Sequence, residues 1–190
     1  MKKRIFIAIN LSEKVKKRLK EYREQYDGLP VRWTKTSSLH LTLVFIGYVD
    51  EEQMLEACKI TRKIAEDSEP FFINFKKIIP GPFGKVPRMI WLVGEKSDEL
   101  TRLRDSLQGA LFGADTGFNR KETRPFSPHI TLARIKSDEW RKLSVSDTNS
   151  IEQNFEARVE VNSIEAMESD LKFDGAEYAT LEACPLGAAI

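Results

Sequence analysis

The sequence predicts an α+β fold with antiparallel sheets, and three observations carry that prediction. Strand-like segments outnumber helical ones, about seven to three. Some strands follow one another with no helix between them, which excludes the steady strand–helix repeat of a doubly wound sheet. No low-complexity tract or long linker divides the 190 residues, so residues 1–190 are expected to form one domain, at most two small lobes sharing a cleft.

The elements run in order as follows. Residues 4–10 are apolar and partly β-branched and read as a buried strand. Ser12 caps a helix whose Val15, Leu19, Tyr22 and Tyr26 recur at helical spacing, and Gly28 and Pro30 end it. Ser38 to Gly47 is a second strand, and Asp50 with Gln53 forms a capping box before the stripe Met54, Cys58, Thr61, Ala65. Phe71 to Ile79 and Arg88 to Val93 are strands separated by a loop that Pro80, Gly81, Pro82, Gly84 and Pro87 force. Leu100, Leu103, Leu107 and Leu111 mark a third helix. Pro128 to Ala133, Phe155 to Ile164 and about Ala176 to Ala183 complete the strands, the last after an Asp174-Gly175 turn.

Composition narrows the function. With 30 basic against 29 acidic side chains the net charge is +1, so any polyanion must be held by a local patch. Cys58 and Cys184 have no metal-ligand spacing and read as two free, buried thiols of a reducing compartment. The basic, apolar opening is too short for a signal peptide, Asn10 interrupts it, and no segment is long enough to span a bilayer. A cytoplasmic protein is expected, with no membrane partner.

Both histidines of the chain open the same tetrapeptide, His40-Leu41-Thr42-Leu43 and His129-Ile130-Thr131-Leu132. On a strand, residues two apart share a face, so each copy aims an imidazole and a hydroxyl one way and anchors two apolar side chains the other. One copy alone would be an ordinary half-buried strand; its duplication at both histidines argues for a site. Two imidazoles that titrate near neutrality supply a base for a nucleophile and an acid for a leaving alkoxide, the pair a phosphate ester needs. The threonine hydroxyls can donate to non-bridging oxygens. Neither histidine has Asp, Glu or Cys at ligand spacing, so no metal and no cofactor is expected.

Charge near the second copy favours a phosphate: Arg120, Lys121, Arg124, Arg134 and Lys136 surround one acid, Glu122. Arg134 and Phe45 stand at the same offset from their histidines and are candidate contacts, to phosphate and to a base respectively. Strict alternation aims both away from the histidine face, so a bulge is required to bring them in. Trp33, Phe83 and Trp91 are alternative stackers better suited to a core, and Lys14, Lys16, Lys17 and Lys20 form a solvated helix face.

The doubled His-x-Thr-x motif and its flanks resemble the 2H phosphoesterase superfamily, in particular its RNA 2',3'-cyclic phosphodiesterase (2'-5' RNA ligase) family. Residues 4–9, Leu39 to Gly47, Arg124 to Arg134, Pro87 to Trp91 and the tail Gly175, Tyr178, Leu181 are similar to family segments. Val44 departs, standing where many relatives carry a basic residue. The resemblance implies two pseudo-symmetric lobes with one motif each and a cleft between them. It implies opening of a 2',3'-cyclic phosphate at an RNA end to a 2'-phosphate, and a reverse joining through a 2'-5' bond. By the same resemblance His40 is the proton donor, His129 the acceptor, and Thr42 and Thr131 hold the phosphate. A monomer is expected. The alternatives are a module that binds RNA ends or nucleotides without turnover, or the same fold acting on a 2'-5' oligonucleotide or a small cyclic-phosphate metabolite.

Overall fold

The computed structural model describes residues 2–26, 28–113, 116–118, 125–144, 148, 150–172 and 175–187. In chain order the elements are β1 (Lys3–Asn10), α1 (Glu13–Glu24), β2 (Val31–Trp33), a 3-10 turn (Thr36–Ser38), β3 (His40–Val49), α2 (Glu51–Glu66), β4 (Phe71–Gly81), β5 (Met89–Gly94), α3 (Asp98–Leu111), β6 (His129–Ile135), α4 (Ser137–Trp140), β7 (Gln153–Val161), β8 (Ser163–Lys172) and β9 (Gly175–Pro185). The α+β expectation holds, but with nine strands rather than seven among the described residues. β2 was not anticipated. The single strand expected over 155–164 is broken at Asn162, between β7 and β8.

All nine strands join one antiparallel sheet in the order β7-β4-β5-β6-β3-β1-β8-β9, with β2 alongside the far end of β6. The centre of this order is the β6–β3 contact, and four strands lie to each side: β3-β1-β8-β9 and β6-β5-β4-β7. The two lobes are therefore halves of a continuous sheet, each contributing its motif strand to the join.

Helices α1, α2 and α3 cover one face. Val15, Leu19 and Tyr22, then Ala57, Cys58 and Ala65, then the four leucines of α3 pack on Ile5, Ile7, Leu41, Leu43, Ile130 and Leu132. Each fully buried Val, Leu or Ile among them contributes about 1.5–3 kcal/mol. The capping box forms in both directions, Gln53 N donating to Asp50 Oδ1 at 2.9 Å and Asp50 N to Gln53 Oε1 at 3.2 Å. Both cysteines are buried and free. β1 is apolar on both sides: its isoleucines face the helices, while Phe6 and Ala8 form a second cluster with Met167, covered by Tyr178. Register shifts in the β1–β3, β4–β5, β5–β6 and β8–β9 ladders curl the sheet around this second face. Among the described residues no helix is long and apolar enough to cross a membrane.

Candidate active site

The two motif strands pair at one residue couple, Leu41 opposite Ile130, and both of these side chains are fully buried towards the helices. An antiparallel register through that couple sets His40 opposite Thr131 and Thr42 opposite His129. All four project to the other face and are half-buried. They mark the corners of a rectangle with the histidines on one diagonal, their Cα atoms about 8 Å apart from strand spacing and a two-residue offset. The span suits one tetrahedral phosphate.

The backbone fixes each imidazole in the same manner. Nδ1 of His40 donates to the carbonyl of Ser38 at 2.8 Å, and Nδ1 of His129 to the carbonyl of Ser127 at 2.7 Å. A carbonyl can only accept, so in the neutral rings the proton sits on Nδ1 and Nε2 is left with its lone pair for chemistry. Neither serine was singled out from sequence. The signal was present, because Ser-x-His precedes both motifs.

Aromatic side chains hold the rings from the sides. His129 lies against Trp91, with centroids 4.1 Å apart and planes 32° from parallel. Trp91 rests in turn on Gly81, where a Cβ would collide with its ring. His40 meets Phe6 with ring centroids 4.9 Å apart, and stands T-shaped to Tyr178 with centroids also 4.9 Å apart. Burial pushes the pKa of both histidines below the ordinary value, against the raising effect of their carbonyl partners. The Thr131 hydroxyl points at the Met89 sulfur 3.9 Å away, a weak acceptor.

The required bulge occurs in both strands, at the same offset. Pairing with β1 skips Leu43, and pairing with β5 skips Leu132. The next residues, Val44 and Ala133, turn into the core, and Phe45 and Arg134 come out on the histidine face. Phe45 pairs with Phe6 and Arg134 with Met89, so they flank the rectangle at opposite ends. Val44 is buried at the bulge, which leaves no place there for a surface contact.

Of the other stackers, Trp33 packs partly against the core, whereas Phe83 is 62% exposed and is not a core residue. The loop between β4 and β5 lifts it from the sheet. Arg120, Lys121, Glu122, Arg124 and Asp174 lie outside the described residues. Among the described residues no three His, Cys, Asp or Glu side chains are grouped as metal ligands.

The profile of the 2'-5' RNA ligase superfamily matches residues 11–172. The chain belongs to this superfamily. Within it, a protein of Aquifex aeolicus named RNA 2',3'-cyclic phosphodiesterase is 29% identical over 188 residues, covering 97% of each chain. A protein of the same name from Thermotoga maritima is 35% identical over 150 residues, 74% of this chain and 75% of that one. Among solved structures, TT0787 of Thermus thermophilus superposes with a TM-score of 0.81 at 25% identity, over 97% of this chain and 98% of that one. Escherichia coli LigT, solved with 3'-AMP, shares the fold at a TM-score of 0.78 and 23% identity, over 98% of this chain and 99% of that one. The superfamily assignment drawn from the doubled motif is thereby borne out.

Proposed function

We propose that this chain is a metal-independent phosphodiesterase that opens RNA 2',3'-cyclic phosphate ends to 2'-phosphates, with residues 1–190 acting as one domain. The observation that supports this most is the rectangle of two imidazoles and two hydroxyls around the Leu41–Ile130 couple. The name shared by the Aquifex and Thermotoga relatives supports the choice of substrate.

The phosphorus sits over the rectangle. Thr42 and Thr131 donate to its non-bridging oxygens, where charge builds up in the transition state. Nε2 of His129 takes a proton from water as its oxygen bonds to phosphorus. The bond from phosphorus to the 3' oxygen breaks, and that oxygen takes the Nε2 proton of protonated His40. The diagonal arrangement suits in-line displacement, with base and acid on opposite sides of the phosphorus. With a 5'-hydroxyl in place of water the same displacement joins two ends through a 2'-5' linkage. Phe45 stacks on a base, and Arg134 contacts phosphate.

The test is incubation with 2',3'-cyclic nucleotides and a short RNA bearing a cyclic end, in buffer with and without chelator. A 2'-phosphate product at equal rates in both is expected; a substrate that persists unchanged overturns the reading. The pH dependence adds a second check. A base must be neutral, so His129 fails as pH falls through its lowered pKa. An acid must be protonated, so His40 fails as pH rises through its own. Both limbs of kcat/KM therefore fall on the acid side of an ordinary histidine, with a maximum below about pH 6.5. Bound phosphate favours the imidazolium, so the alkaline limb of kcat lies higher than that of kcat/KM.

A further inference from the structure

Beyond the rectangle, at the Arg134 end, β2 runs beside β6 and sets Arg32 directly opposite Arg134. Both guanidiniums are exposed, and among the described residues neither has a carboxylate within ion-pair distance. Like charges directly opposite on neighbouring strands repel. Some other surface cations are matched, for instance Lys3 with Glu168 and Lys136 with Glu139. The two arginines line a shallow pocket with Trp33, Thr34, Lys35 and Tyr178. Lys35 is held by Glu177 at 3.2 Å, so the arginines supply the charge. Tyr178 connects the two places, because its ring also meets His40.

Resting on the phosphodiesterase reading, we infer that Arg32 and Arg134 form a second anion subsite, which holds the phosphodiester next to the cyclic end and selects polynucleotide ends over mononucleotides. An anion between the guanidiniums removes their repulsion and accepts from two planar forks. The pocket shares a wall with the reaction site, which is where the neighbouring phosphate of a bound strand must pass. A mononucleotide has no group to put there.

The experiment compares two dinucleotides ending in a 2',3'-cyclic phosphate, one with a natural internucleotide phosphate and one with a neutral methylphosphonate. The wild type is expected to favour the charged link about tenfold in kcat/KM. Arg32→Gln should bring that ratio to near one, and Arg32→Lys should keep most of it. The salt slope of kcat/KM on the natural dinucleotide should become shallower by about 0.7 in the Gln variant. A wild type without preference overturns the inference, as does a Gln variant that loses both substrates equally. If the wild type turns over neither dinucleotide, the phosphodiesterase reading fails on its own. Affinity for the two 2'-phosphate dinucleotides, measured by titration calorimetry, then decides: a charge preference that Arg32→Gln removes upholds the subsite, and no preference rejects it.

Discussion

The two motif strands share a backbone plan and differ in what they carry. Each has a histidine tied to a serine carbonyl two residues back, a threonine on the same face, and a bulge that returns the sixth residue to that face. On β3 that residue is Phe45, set among Phe6 and the Arg4 guanidinium. On β6 it is Arg134, set between Met89 and Arg32. One end of the rectangle is thus aromatic and the other cationic. In the proposed mechanism the repeated plan converges groups on a phosphorus, and the difference between the copies orients what is attached to it.

The strongest way to break this comparison is at the shared plan. His40→Ala and His129→Ala are each expected to lower kcat by about 10²–10⁴-fold with KM little changed. The double variant should be only slightly worse than either single one, because acid and base act as a unit. The copies separate by pH: His129→Ala loses the acid limb of the profile, and His40→Ala the alkaline limb. If either variant keeps near-normal turnover, that histidine leaves the mechanism.

Next in size is the support beneath His129. Gly81→Ala puts a methyl group into the Trp91 ring, which lies between Gly81 and His129. Overpacking of this kind costs about 1–3 kcal/mol of stability. Displacement of the imidazole is expected to lower kcat by roughly ten- to a hundredfold. The matching change on the other copy, Phe6→Leu, leaves Tyr178 against His40 and should cost less. Thermal melts alongside kinetics separate the two effects. Equal losses of kcat from the two variants would show that Trp91 is not special to its side.

Much of this site is legible in the sequence, and the gaps have physical causes. The motifs, the capping box and the leucine stripe of α3 depend on local spacing, and the structure reproduces them. β2 has only three residues, too few to alternate, and exists because β6 pairs with it. β8 escaped notice because it buries polar side chains. Glu165 is accommodated there by accepting from Ser163 Oγ on the same strand and from the Asn10 amide, which is distant in the chain. The bulges arise in tertiary pairing, yet each leaves a mark. Leu43-Val44 and Leu132-Ala133 break the alternation at the same place in both copies.

The smallest expected effects test the difference between the ends. Arg134→Gln should raise KM about tenfold and reduce the sensitivity of kcat/KM to salt, since it removes a charge-assisted contact. Phe45→Ala should act more weakly. Its ring is 53% exposed and already engaged by Phe6, so stacking a base on it gains at the low end of about 1–3 kcal/mol. A KM rise of about threefold to tenfold is expected, with kcat and the salt slope unaltered. If Phe45→Ala changed the salt slope as Arg134→Gln does, the two ends would be reading the same charge, and the aromatic copy would have no separate task.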